Sequence, residues 1–291
     1  MCLAGFAHYA HPMSQRSVLV TGASTGIGHA TALLLARNGF RVFAGVRRAE
    51  DGESLAAAGA IPIILDVTNE QHIAGAATTI EEAGGLYGLV NNAGIASAAP
   101  LELVPIDDLR YQLEVNVVGQ VAVTKAMLPV LRESKGRILN VTSIGGLIAG
   151  QMLGPYNASK FALEAVTHVL RQELAPWGIE VIAIEPGVIA TPIWSTSAAS
   201  ADRMLAPVRD AATELYGAQI AAAQRMAANA TAKGLAPIEV AEVIERALTA
   251  KRPRTRYPVG TDAKIGSALL ARLPDRTRDR LLGGRRSRAG E

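Results

Sequence analysis

The stretch that decides the fold runs from Ser17 to Gly28, SVLVTGASTGIG. Ser17 to Val20 read as a buried strand, the chain then passes through Gly22, Gly26 and Gly28, and helical spacing runs from Ile27 to Asn38. The glycines follow G-x-x-x-G-x-G rather than the fingerprint G-x-G-x-x-G. The physics is shared: glycine permits a tight turn and a close approach to the backbone, and the following helix offers its N-terminal amides and dipole to a diphosphate. Gly22, Ser24, Thr25, Gly26, Ile27 and Gly28 are therefore candidate binding positions. A glycine-rich turn also serves simply to pack a helix on its strand, so the strand ends further along have to decide.

Five more runs have the same aliphatic character and end in small or turn-forming residues: RVFAGVR at 41–47, IPIILDV at 61–67, YGLVNNAG at 87–94, GRILNVTS at 136–143 and IEVIAIEPG at 179–187. Segments with helical spacing lie between them, as from Thr68 to Ala83. Strands that are apolar on both faces, alternating with helices, predict an α/β fold, a doubly wound parallel sheet of Rossmann type flanked by helices. Right-handed crossovers then place a ligand beyond the carboxyl ends of the strands. No internal repeat and no linker-like break precedes Pro192, so residues 17–291 are expected to form one domain after a disordered extension at 1–16.

Composition narrows the classes. Cys2 is the single cysteine, which excludes an intrachain disulfide and fits a reducing, cytoplasmic setting. Basic and acidic residues nearly balance, 29 against 26. The surplus sits in RTRDRLLGGRRSRAGE at 276–291, which reads as a solvated, frayed basic tail rather than an arm for nucleic acid or lipid. Ile138 to Ser159 carries no formal charge, yet Asn140, Thr142, Gln151, Pro155 and several glycines argue against a transmembrane helix. MCLAGFAHYAHP lacks the basic start of a signal peptide. The five histidines show no metal-ligand spacing, and no G-x-S-x-G elbow supports a hydrolase.

The strand ends carry residues suited to a dinucleotide. Asp66, followed by Val67, closes the third run and can accept from an adenine amino group; Asn92, Ala93 and Gly94 close the fourth and let a ring or ribose lie against the backbone. Asn91 and Asn92 also suit the tying together of neighbouring strands, and both roles are expected at once. TGASTGIG, NNAG, NVVG, the Ser143 of VTS, YNASK and PG, in this order and over residues 17 to 192, resemble the short-chain dehydrogenase/reductase family and, through the looser RTRYPVGTDAKIGSALLARLPDRTRDRLL region, its steroid- and retinol-dehydrogenase-like branch. The resemblance implies a catalytic set of Asn116, Ser143, Tyr156 and Lys160, hydride transfer between a nicotinamide and a carbonyl or alcohol, and cofactor contacts from Pro186, Gly187, Val188 and Thr191. It further implies that Lys160 holds the nicotinamide ribose, that Asn116 anchors a water, and that the chain forms a homodimer or homotetramer.

The residues support that chemistry on their own terms. A tyrosine holds its proton too tightly to act as a base near neutral pH, and lowering its pKa by about 3 units takes about 4 kcal/mol. Tyr156 and Lys160 are four apart, on one helix face, so an ammonium beside the phenol is expected to supply part of it. Ser143 would hydrogen-bond the substrate oxygen. Each residue singly is commonplace, and their co-occurrence carries the reading; the alternative is a dinucleotide-binding regulatory or scaffold protein without turnover.

Cofactor choice rests on RVFAGVRRAED, where Val46 occupies the usual acidic position and Arg47 and Arg48 follow, so NADP(H) is favoured over NAD(H). Glu50 or Asp51 reaching the ribose is the competing reading. Ile144, Leu147, Ile148, Gln151, Met152 and Leu153 form an uncharged wall, which points to a lipophilic small-molecule carbonyl or alcohol: steroid-like, retinoid-like or long-chain. Residues 192–235, with Leu215, Tyr216, Ile220 and Ala223 at helical spacing, predict a helical substrate lid, with core packing or a subunit contact as alternatives.

Overall fold

A computed structural model describes residues 16–282. The chain alternates β1 (Ser17–Val20), α1 (Gly26–Arg37), β2 (Arg41–Val46), α2 (Glu53–Ala57), β3 (Ile61–Ile64), α3 (Glu70–Glu82) and β4 (Gly88–Asn91). It continues through α4 (Ile106–Leu113), α5 (Gly119–Ser134), β5 (Arg137–Val141), α6 (Gly154–Leu174) and β6 (Glu180–Pro186). The last part holds α7 (Ile193–Leu205), α8 (Arg209–Lys233), α9 (Pro237–Thr249), β7 (Arg256–Val259), α10 (Thr261–Ala268) and α11 (Asp275–Leu282).

The strands form one parallel sheet in the order β3-β2-β1-β4-β5-β6-β7. The order reverses between β1 and β4, and the crevice beyond their carboxyl ends is where such a sheet receives a ligand. Each sheet face has its own core. Ala32 and Leu35 of α1 pack with Val240, Ile244 and Leu248 of α9 on one side. On the other, Ile80 of α3 meets Val123, Met127 and Leu131 of α5. A smaller cluster of Ala99, Val104, Met204, Leu205 and Ala212 lies under α7 and α8.

The six strands read from sequence are present, and β7 is a seventh that pattern reading misses. It has four residues, one of them Pro258, and among the described residues pairs only with β6. The opposite rim, β3, is equally short and contains Pro62. Residues 1–15 and 283–291, and with them nearly all of the expected N-terminal extension and the end of the basic tail, lie outside the described residues. The expectation of a frayed terminus from Arg276 onward is corrected as far as Leu282: Pro274 precedes the first turn of α11, Asp275 sits in that turn, and Arg278 pairs with Asp275 at 2.5 Å.

Glycine spacing has distinct local reasons. A Cβ on Gly28 would overlap the Gly22 carbonyl and the Asn92 amide, so Gly28 lets α1 seat against the turn, whereas Gly75 in α3 has open space. Gly28→Ala should cost about 1–3 kcal/mol by overpacking, while Gly75→Ala should gain about 0.5–1 kcal/mol of helix propensity. Urea denaturation of both variants checks the pair.

Candidate active site

The glycine turn is built for an anion. Gly22 and Gly26 have φ of +64° and +58°, in the left-handed region that glycine enters without strain. Thr25 is the N-cap of α1 but makes no side-chain cap bond, and no acidic residue stands in the first turn. The first amides of α1 are thus left to an external acceptor.

The turn is locked to the end of β4. Asn92 donates from Nδ2 to the carbonyls of Thr21 and Gly22 at 2.9 and 3.1 Å, and the amides of Asn92 and Ala93 donate to Thr21 Oγ1 at 3.0 and 2.9 Å. A Cβ on Gly22 would come within 2.8 Å of Ala93 Cα. Asn91, by contrast, is fully enclosed and ties β4 to Thr124 on α5 and Asn140 on β5, at 2.8 and 2.9 Å. The two asparagines therefore divide the roles expected of both.

One cleft runs along the carboxyl ends of the strands. Gly22, Ser24, Thr25, Gly26 and Ile27 line its start, followed by Val46, Arg47, Asp66, Val67, Asn92, Ala93 and Gly94. Ser143, Tyr156, Lys160, Pro186, Gly187 and Thr191 line its far end. The sequence therefore brings most of its candidate residues to one place. Four fall elsewhere. Gly28 packs under the turn. Arg48 lies off the cleft because its guanidinium pairs with Asp51 at 2.9 Å and Glu50 at 3.5 Å, which also occupies the two carboxylates considered for a ribose. Val188 is off the cleft too, its amide donating to Asp262 Oδ2 at 2.7 Å. Asn116 is enclosed behind the wall, accepting from the Ile95 amide at 2.9 Å and donating to the Ile95 carbonyl and Ser159 Oγ at the same distance.

Asn116 sits in a π-helical turn, Glu114–Val118, that joins α4 to α5, the wider turn often found at functional sites. Ser159 in turn donates to the Tyr156 carbonyl at 2.7 Å, so Asn116 braces the first turn of α6. Ser143 follows β5, accepts from the Gly145 amide at 3.0 Å and is nearly enclosed. Lys160 Nζ donates to the Val141 carbonyl at 2.9 Å and stands 5.8 Å from the centre of the Tyr156 ring.

Residues 16–202 match the family profile described as short chain dehydrogenase. The chain belongs to the short-chain dehydrogenase family. It is 41% identical over 260 residues to 3-amino-tetrahydro-pyrrolizinone reductase of Xenorhabdus hominickii, covering 87% of this chain and 89% of that protein. Retinol dehydrogenase 5 of Mus musculus is 36% identical over 285 residues, 93% of this chain and 89% of that one, and places the chain in the steroid- and retinol-dehydrogenase-like branch. Among solved structures, a short chain dehydrogenase from Burkholderia cenocepacia in complex with NADP superposes with a TM-score of 0.71 at 27% identity, over 90% of this chain and 94% of that one. This short-chain dehydrogenase is an oxidoreductase.

The dehydrogenase's cleft fits a dinucleotide on its own features: the uncapped helix start, the glycine cradle against Ala93 and the Asp66 carboxylate. Thr68 engages one oxygen of Asp66 through its amide and hydroxyl, at 2.9 and 2.8 Å. Burial pushes that carboxyl up, but the Thr68 hydrogen bonds and the charges of Arg47 and His72 outweigh it and leave it below the ordinary range.

The expected lowering of the tyrosine is not what the dehydrogenase's own residues produce. Burial pushes the Tyr156 phenol above its ordinary value, with only a hydrogen bond to Ser143 pulling the other way. The ammonium that was to oppose this is itself buried and committed to Val141; burial lowers Lys160 to about 8, partly resisted by the charge of Glu164. Sequence reading also misses Glu164, Glu185 and Arg256. Arg256 on β7 pairs with enclosed Glu164 on α6 at 2.7 Å and with Glu185 on β6, a cluster that the spacing Lys160-x-x-x-Glu164 hints at only on one side.

Lys160 is charged below about 8 and neutral above it. On the assignment of the nicotinamide ribose to Lys160 that the family resemblance implies, affinity for the reduced nucleotide should fall as pH rises through that value, and the fall should disappear in Lys160→Met. Fluorescence titrations over roughly two pH units on either side read the difference.

Proposed function

We propose that this enzyme interconverts a lipophilic ketone and secondary alcohol using NADP(H), with Tyr156 as the proton donor and acceptor. The observation that carries the reading is the convergence of Ser143, Tyr156 and Lys160 at one end of a cleft whose other end is the open start of α1. When bound, the nicotinamide supplies or accepts the hydride. Ser143 holds the substrate oxygen, and Tyr156 passes its proton to that oxygen or takes one from it. The raised phenol keeps its proton before a nucleotide binds, which suits the donor role in reduction. Lys160 holds the nicotinamide ribose and supplies positive charge beneath the ring, while Asn116, its amide donors spent on Ile95 and Ser159 rather than on a water, braces the tyrosine's turn.

Arg47 supports NADP(H). It lines the cleft beyond β2, no ion pair engages it among the described residues, and a cation beyond the second strand is what accommodates a 2′-phosphate in folds of this type. A neighbouring structure was solved with NADP bound, which is in keeping with this preference.

The second pocket supports the proposed substrate class. Met152, Leu153, Trp194, Leu205, Ile220 and Ala223 line an apolar hollow beneath α7 and α8, and Leu153 and Trp194 also line the cleft. A long apolar carbonyl compound would extend from Ser143 into this hollow, under α7 and α8 acting as the lid. Leu215, expected on the covering face, is exposed, so α8 turns only its Ile220–Ala227 part toward the hollow. The name of one relative, a retinol dehydrogenase, is in keeping with a lipophilic substrate, whereas the amino-substituted pyrrolizinone named for another is small and polar. Exposed Val118, Phe161 and Val169 on the α5 and α6 side favour a homodimer or homotetramer built through those helices. The single cysteine favours a cytoplasmic setting; among the described residues no helix is long and apolar enough to cross a membrane.

Tyr156→Phe should lower kcat by about 100-fold or more while nucleotide affinity stays within about twofold; near-normal turnover would count against the assigned donor. Arg47→Ala should raise KM for NADPH by about tenfold and leave KM for NADH nearly unchanged. A panel of apolar ketones and small polar sugars, followed by absorbance of the reduced nicotinamide, tests the substrate class, and preferential turnover of the sugars would overturn it.

A further inference from the structure

The segment after β6 forms one wall of the cleft, through Pro186, Gly187, Ile189 and Thr191. Its backbone is held from several directions. The Gly187 amide donates to the Val259 carbonyl at 2.9 Å, the Leu235 amide to the Val188 carbonyl at 3.0 Å, and the Ala190 amide to the Leu235 carbonyl at 2.9 Å. Trp194 Nε1 donates to the Ile189 carbonyl at 2.7 Å. The Val188 amide is served by a charged side chain, Asp262 Oδ2 at 2.7 Å.

Space is reserved for that carboxylate. A Cβ on Gly187 would overlap both Asp262 oxygens, and one on Gly260 would meet Asp262 Oδ1 at 2.5 Å. Two glycines, on β6's exit and β7's exit, thus admit one carboxylate, and this accounts for Gly187 without a ligand. Asp262 opens α10, and the same helix presses on the opposite wall. A Cβ on Gly266 would stand 2.6 Å from Ile144 Cδ1 and 3.3 Å from Ile148 Cδ1, in the segment that follows Ser143. One short helix therefore touches both walls that flank Tyr156.

We propose that Asp262 is a positioning residue for hydride transfer: its carboxylate fixes the Val188 amide and so sets the 186–191 segment at the distance from Ser143 and Tyr156 that a bound nicotinamide requires. This rests on the nucleotide-dependent reading above. A hydrogen bond to a charged acceptor is stronger than a neutral one, and because Val188 and Asp262 are both exposed, removing the acceptor leaves the amide to mobile water. The consequence is a segment that samples more positions, which costs productive geometry rather than global stability.

The test compares Asp262→Ala with Asp262→Asn, whose side-chain oxygen can still accept from the amide. In the ligand-free protein, amide exchange of the peptide carrying Val188 should accelerate about tenfold in Asp262→Ala and stay within about threefold of the parent in Asp262→Asn. In turnover, Asp262→Ala should raise the nucleotide KM by about tenfold and lower kcat by a similar factor, with Asp262→Asn recovering most of both. Thermal melting separates local from global effects. Parental exchange and kinetics in Asp262→Ala would overturn the proposal, and so would equal damage in both variants accompanied by equal losses in Tm. Accelerated exchange in a protein whose parent binds no nicotinamide nucleotide would sink the nucleotide-dependent function and still support Asp262 as the residue that sets this segment.

Discussion

The rest of the molecule depends on how closely the first turn can approach the end of β4. Thr21, Gly22, Asn92 and Ala93 hold one another through four hydrogen bonds at the place where the strand order reverses. Any side chain at Gly22 would strike Ala93, and any at Gly28 would strike the Gly22 carbonyl. This tight closure keeps α1 pointing its free amides along the crevice. It also brings the nucleotide end of the cleft into line with the reacting end, because β4 and β5 are neighbours and share Asn91 and Asn140 across their ladder.

At the reacting end burial outweighs every other influence on the two ionisable groups. Removing water from Tyr156 favours the neutral phenol, and removing it from Lys160 favours the neutral amine. The pair therefore lacks, by itself, the electrostatic bias that the proposed proton transfer needs. The remaining charge comes from what surrounds it. Glu164, one turn beyond Lys160 on α6, opposes the loss of the ammonium and is itself held by Arg256 from the last strand. An edge strand contributes in this way to the electrostatics of a site it does not line.

Much of this was legible in the sequence because the signals are local. Runs such as Val18–Val20 and Val181–Ile184 are apolar on both faces, and only a sheet covered on both sides buries them. The cleft residues follow from strand ends, whose position in a parallel sheet is fixed by topology. What stayed hidden depends on contacts between distant segments. Asp262 and Val188 are 74 residues apart, and nothing in GTDAK announces a carboxylate that serves another loop. Arg48 reads as a phosphate ligand until Asp51, three residues on, is seen to take it. β7 escapes notice because four residues with an internal proline carry too little periodicity.

Those two rims have a consequence for how copies of the chain meet. Each outermost strand is only four residues long and each contains a proline, Pro62 at one side and Pro258 at the other. A foreign strand laid along either rim would find a short, interrupted row of donors, so sheet-to-sheet fusion and the fibrillar growth it seeds are discouraged at both ends.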